Sequence, residues 1–166
     1  MADYYNAFEI SPVPAPGPDA QPPEIYRGIY GMPMFVTIAT SDLVASVDFW
    51  VRGLGFIDLF TIPDRLTHLR RWAFQDALLV PTGAGEVPAV SVSFACVLGE
   101  IDAIAEACEL LVPGCTTGPQ PTPWNTVDLQ VITPENARVV FTAARALEPG
   151  SQMASNLEAI GITGEG

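Results

Sequence analysis

The sequence predicts an α+β domain made of two βαβββ modules, preceded by an extended proline-rich arm. Three observations carry this. Apolar and polar residues alternate with strand period and then with helix period, in the same order twice over. The chain has 166 residues, of which 49% are apolar and 16% charged, enough for one packed core. Six prolines crowd into residues 1–32, at positions 12, 14, 16, 18, 22 and 23, with no helix or strand period around them.

Residues 1–32 therefore read as an arm, because proline fixes φ and removes a backbone donor. Tyr4, Tyr5, Phe8, Ile25 and Tyr30 are the side chains that could dock it. The regular domain is expected over 33–146, with modules at about 33–82 and 88–146, and a polar tail over 147–166. In the first module MPMFVTIAT reads as a strand and SDLVASVDFWVRGLGF as a helix. Ser41 or Asp42 caps that helix, Val44, Val47, Phe49, Trp50 and Leu54 form its apolar stripe, and Gly53 and Gly55 end it. IDLFTI, LTHLRRWAF and DALLVP follow as three strands. In the second module AVSVSFACV is a strand and EIDAIAEACELL a helix. A weak strand near Cys115 to Gly118 and the turn-rich TTGPQPTP lead into WNTVDLQVIT and ARVVFTAA, joined by a turn at Pro134, Glu135 and Asn136. Met153 to Ile160 can make a short helix.

Composition narrows the function classes. The formal net charge is −12 and every basic residue is an arginine, so nucleic acid is disfavoured and a neutral or cationic ligand is favoured. Acidity alone also keeps a protein in solution. No uncharged apolar run is long enough to cross a bilayer, and MADYYNAFEI lacks the layout of a secretory signal, so the expected compartment is the cytoplasm. Cys96, Cys108 and Cys115 lack metal-knuckle spacing and suit free buried thiols.

Two stretches carry a family resemblance. Residues 40–56, TSDLVASVDFWVRGLGF, are similar to the first-module signature of the glyoxalase/bleomycin-resistance/dioxygenase, or vicinal-oxygen-chelate, superfamily. Residues 123–141, PWNTVDLQVITPENARVVF, resemble the same superfamily's Pro-Trp-Gly entry, strand and hairpin, although Asn125, Thr133, Glu135 and Asn136 depart from its commonest residues. The resemblance implies that the strands curve as a mixed sheet around a cleft. In the enzymes of the superfamily, four cleft positions hold a divalent metal. Carried onto this chain, those positions fall on Phe35, Val80, Val140 and, with an uncertain register, Ser91. Phe and Val offer no donor and a Ser hydroxyl is a poor one, so the expectation is a cleft without metal or other cofactor.

Strand alternation then names the cleft wall. Phe35 brings Thr37 and Ala39 with it, Val80 brings Leu78 and Asp76, and Ser91 brings Ser93 and Ala95. His68, Arg70, Trp72 and Phe74 share one face of their strand, and Trp124, Thr126, Asp128 and Gln130 share one face of theirs. A wall of Phe35, Trp72, Phe74, Leu78, Trp124, Val80 and Val140, with Thr37, His68, Arg70, Ser91, Ser93, Asp128 and Gln130 as polar points, suits a flat aromatic ligand. Trp50 is expected in the core, and Asp42 and Asp48 as cap and surface residues. His68 is the one histidine and could act as a base, but the sequence names no partner to orient it. The expected function is binding and sequestration of a small aromatic natural product by a homodimer, as in drug-binding resistance proteins. The rival readings are a metal-independent isomerase, cyclase or oxygenase using His68, Arg70 or Asp128, and an interaction module working through its arm.

Overall fold

A computed structural model of the chain describes residues 17–28, 35–72, 75–83 and 89–159. The element order is β1 (Val36–Thr40), α1 (Leu43–Arg52), β2 (Ile57–Ile62), β3 (Leu66–Arg70), β4 (Asp76–Pro81), β5 (Ser91–Cys96), α2 (Leu98–Leu111), β6 (Thr116–Pro121), β7 (Thr126–Ile132), β8 (Arg138–Ala144) and α3 (Gln152–Ala159). The strands form two four-stranded sheets of identical plan, β1-β4-β3-β2 and β5-β8-β7-β6. In each the first strand lies parallel to the last of its module and the other pairs are antiparallel. This is the doubled βαβββ arrangement that the periodicity predicts.

Helix α1 begins at Asp42, whose carboxylate accepts from the Ala45 N–H at 3.0 Å, and ends at Gly53, with Gly55 following at φ +75°. Helix α2 starts two residues earlier than its pattern suggests. The Glu100 carboxylate reaches back to the Val97 N–H at 3.3 Å, satisfying a donor that the first turn leaves open. Strand β6 covers TTGPQP, where the sequence reads mainly as turn. It lies at the edge of its sheet, so its prolines need no ladder partner on the outer side. Gly118, at φ +100°, sits in the irregularity between Thr117 and Gln120; a Cβ there would meet the Asp128 carbonyl at 2.8 Å.

One core spans both modules. Trp50 from α1 meets Phe56 edge-on at 4.9 Å between ring centroids, Phe56 meets Phe94 of β5 at 5.1 Å, and Phe94 lies 6.3 Å from Phe141 of β8. Leu54, Leu69, Leu79, Leu129, Val131 and Val139 close around them with no exposure. Polar groups cross the same boundary in both directions. Glu135, in the β7–β8 turn and only 3% exposed, accepts hydrogen bonds from Trp50 Nε1 and from Ser46 Oγ. In return Arg71 donates to the Ala95 carbonyl and to Glu100, both at 2.7 Å, with its guanidinium over the Phe141 ring.

Cys96, Cys108 and Cys115 are free and buried. Burial pushes the Cys96 and Cys108 thiols up to about 12 from an ordinary value of about 9.

Two predictions come from this packing. Trp50→Phe removes one donor from the buried Glu135 carboxylate and should destabilise the fold by about 1–3 kcal/mol, read as a lower urea midpoint at unchanged m-value. Between pH 9 and 12 the native thiols keep protons that the unfolded chain has released, so their contribution is complete below about pH 9 and is lost as pH rises toward about 12. Thermal melts should show stability falling over that window by at most about 1.4 kcal/mol per pH unit for each thiol, with a shallower fall in Cys96→Ala/Cys108→Ala.

Candidate functional site

Each sheet packs one face against a helix, α1 on the first and α2 on the second, and turns the other, its open face, away from that helix. In the first sheet Ile38, Leu69, Ala77 and Leu79 point into the core. The opposite face is fixed by register: His68 pairs with Leu78, Leu78 with Thr37, Arg70 with Asp76, and Ala39 with Val80. Phe35, just before β1, joins this face through an edge contact with the His68 ring at 5.6 Å. Phe60 joins it from the other side at 5.2 Å, because a bulge between Asp58 and Phe60 sets Phe60 opposite His68. Phe35 and Phe60 remain 42% and 43% exposed, and His68 only 7%. The result is a row of three rings across the first sheet, with the imidazole in the middle.

Beneath the row lies a buried polar chain. His68 Nε2 and Asp76 Oδ2 share a hydrogen bond of 2.8 Å. Arg70 grips Asp76 with two parallel donors, Nε to Oδ1 and Nη2 to Oδ2, each at 2.8 Å. Its Nη1 donates to the carbonyls of Tyr26 at 2.8 Å and Gly28 at 2.6 Å, and the guanidinium lies 5.8 Å from the Tyr26 ring centroid. Arg70 is thus 1% exposed, and its role is to hold Asp76 and the 26–28 segment.

The open face of the second sheet is polar. Ser93 pairs with Val140, Val140 with Gln130, and Gln130 with Thr117. Arg138 Nε donates to Gln130 Oε1 at 2.9 Å and its Nη1 to Ser91 Oγ at 3.4 Å. Asp128 Oδ1 accepts from Thr126 Oγ1 and Thr142 Oγ1, both at 2.8 Å. Ser91 and Ser93 are exposed, while Gln130 and Val140 are half-buried.

Two aromatics of the predicted wall stand apart from these rows. Trp72 lies in the β3–β4 turn, 8% exposed, with the Arg71 guanidinium 4.7 Å from its ring centroid. Trp124 sits in the turn before β7 and is 56% exposed. Phe74 lies outside the described residues. A cavity of about 600 Å³ between the start of α1 and the β2–β3 turn, and one of about 320 Å³ around Asn125 and Arg145, contain none of the predicted residues.

The four superfamily metal positions can be tested directly against this geometry. Phe35 and Val80 lie on the open face of the first sheet, Ser91 and Val140 on that of the second. Among the described residues no group of three or more His, Cys, Asp or Glu side chains is placed to hold a metal ion. Asp76, the carboxylate nearest His68, already carries three hydrogen bonds. The described residues at these four positions do not fit a divalent metal centre.

With topology and open faces in place, comparison with solved structures decides the fold. An integron cassette protein from a Halifax Harbour sewage outfall metagenome superimposes with a TM-score of 0.57 at 22% identity, covering 69% of this chain and 99% of that one. This chain has the glyoxalase/bleomycin-resistance fold. A glyoxalase/bleomycin resistance protein/dioxygenase from Nocardioides matches at TM-score 0.53 and 19% identity over 75% of this chain and 91% of that one. TioX from Micromonospora sp. ML1 matches at 0.56 and 24% over 68% and 98%. No family model and no curated protein matches the chain. No described helix is long and apolar enough to cross a membrane.

Sequence alternation missed Phe60, because the β2 bulge breaks the parity that would have placed it. It also left Asp76 without its role, since nothing local shows that a carboxylate eight residues on will meet His68. Arg70→Met should leave Asp76 buried without its counter-charge and cost about 3–5 kcal/mol in chemical denaturation, whereas Thr37→Ala, exposed on the same face, should stay within about 0.5 kcal/mol.

Proposed function

We propose that the protein binds and sequesters a small planar aromatic molecule, neutral or cationic, in a metal-free cleft built by a homodimer. The observation that carries this reading is the replacement of metal donors by apolar side chains at positions on the open faces, together with the ring row Phe35, His68, Phe60 on the first. Each ring of a flat ligand stacked on such a row gains about 0.5–1.5 kcal/mol beyond area burial. The second face supplies complementary chemistry: Ser93, Gln130 and Arg138 are hydrogen-bonding groups that would orient the ligand's polar edge. The first face carries the exposed aromatic rings and the second is mainly polar, and a second copy that sets the first sheet of one chain against the second sheet of the other would enclose a ligand between them. The formal charge of −12 favours a cation over an anion in that space. Fosfomycin resistance protein FosX from Listeria monocytogenes shares the fold, with a TM-score of 0.54 at 14% identity over 73% of this chain and 96% of that one. A resistance role on this fold thus has a precedent at the level of architecture.

The test is a thermal-shift panel of planar aromatic natural products in cationic, neutral and anionic forms, with mass spectrometry of the recovered compound. A true ligand at about a hundred times its Kd should stabilise the native state by about 2.7 kcal/mol and be recovered at its original mass. Phe35→Ala and Phe60→Ala should each weaken binding by about 0.5–1.5 kcal/mol, whereas Val44→Ala on the exposed side of α1 should not. Sedimentation giving a monomer, or a panel without a single stabiliser, would overturn the reading.

A further inference from the structure

We propose that the ring row is also a metal-free proton-transfer site, in which His68 Nδ1 takes a proton from a planar conjugated molecule stacked against the exposed side of the row, on Phe35 and Phe60. The inference rests on the cleft reading for where the molecule binds and goes beyond it in assigning chemistry. A general base needs an orienting partner, a free lone pair and a place for the substrate within reach. The orienting partner is Asp76, whose Oδ2 is 2.8 Å from Nε2. A carboxylate at Nε2 selects the tautomer with the proton there, which leaves the Nδ1 lone pair available. Among the described residues nothing hydrogen-bonds Nδ1, and the imidazole is flanked by two half-exposed rings rather than capped by a polar side chain.

Among the described residues the groups facing His68 are few. From β4 comes Asp76, and behind it on β3 comes Arg70, bound to both oxygens of that carboxylate. The flanking residues before β1 and on β2 contribute only the uncharged rings of Phe35 and Phe60. In the reaction an Nδ1–H bond forms as a C–H bond of the substrate breaks, and the C–H electron pair enters the substrate's conjugated system. The imidazolium hydrogen-bonds Asp76 and then returns the proton to a different atom of the same molecule. The net change is a tautomerisation that consumes no co-reactant. The substrate class is accordingly a planar aromatic or enone-like compound with an acidic C–H at its edge. Asp76 is the positioning residue, and Arg70 holds Asp76.

Nitrobenzisoxazole is a suitable probe: removal of its one acidic C–H breaks the ring N–O bond and releases a coloured cyanophenolate, with no other reactant. The chain suits this assay because it contains no lysine and His68 is its single histidine. Full-length protein in the presence of a chelator should turn the probe over saturably. His68→Gln should lower that rate by about a hundredfold or more while fluorescence titration still shows the probe bound. Long-range 1H–15N spectra of the single imidazole give a reading that does not depend on any variant folding, and should show the Nε2–H tautomer. Turnover that survives in His68→Gln, bound probe that the parent protein leaves intact, or an Nδ1–H tautomer would each overturn the proton-transfer site and leave the ligand-binding reading standing. Absence of both binding and turnover would overturn the two together.

Discussion

The two modules are held in one relation by a carboxylate that local sequence gives no reason to bury. Glu135 belongs to a surface-type turn between two strands, yet its side chain runs inward to Trp50 and Ser46 on the helix of the other module. Ser46 in turn shares a 2.7 Å hydrogen bond with Thr40 at the end of β1, so a single carboxylate ties a hairpin, a helix and a strand. A group this buried is expensive to leave unpaired, and the arrangement has few substitutes. Arg71 makes the reciprocal tie from the first module into the second. Between these two crossings sits the aromatic cluster of Trp50, Phe56, Phe94 and Phe141. Apolar packing alone would tolerate sliding of one sheet past the other, whereas directional hydrogen bonds at two separate points do not. The orientation of the two open faces therefore follows from core contacts on the opposite side of each sheet.

Sequence made the faces legible because the physics is local. Alternation along β1, β4, β5, β7 and β8 assigns each side chain to a face, and a pairing register carries that assignment from strand to strand. Thr37, Leu78 and His68 share a face for that reason alone. The rule stops where the period stops. In β2 the bulge advances the register, so Phe60 arrives opposite His68 without any pattern in IDLFTI to announce it. In β6 the prolines read as turn, and only the sheet's edge position explains how they pair at all. Contacts across long separations had no local signal. Glu135 to Trp50 spans 85 residues and Arg70 to Gly28 spans 42, and neither pair shares an element.

The same contrast explains why Trp72 and Trp124 stand apart from the ring row. Both lie in turns, where alternation no longer dictates direction; one is clamped by Arg71 and the other is left largely in solvent. Of the aromatics expected in the cleft wall Phe35 lies in the ring row, and Phe60 joins it there. Phe35 and Phe60 face each other across the imidazole, and the second face is left to Ser, Gln, Thr and Arg. Such asymmetry suits a ligand with one flat apolar side and one polar edge better than a ligand apolar throughout.

The buried triad of His68, Asp76 and Arg70 is hard to justify by stability alone. A desolvated ion pair contributes little net, and apolar residues of similar volume in its place are often neutral or stabilising. Scaffolding of the 26–28 segment needs Arg70 and a carboxylate to neutralise it, which the bidentate Arg70–Asp76 contact already supplies. That leaves the third hydrogen bond, donated by His68 Nε2 to Asp76, without a scaffolding purpose. What the imidazole adds there, and a phenyl ring would not, is a nitrogen directed by the carboxylate on one side and, among the described residues, unpaired on the other. The chain of contacts from the Tyr26 and Gly28 carbonyls through Arg70 and Asp76 then has one physical effect at its end, the fixed orientation of a single basic nitrogen on the ring row.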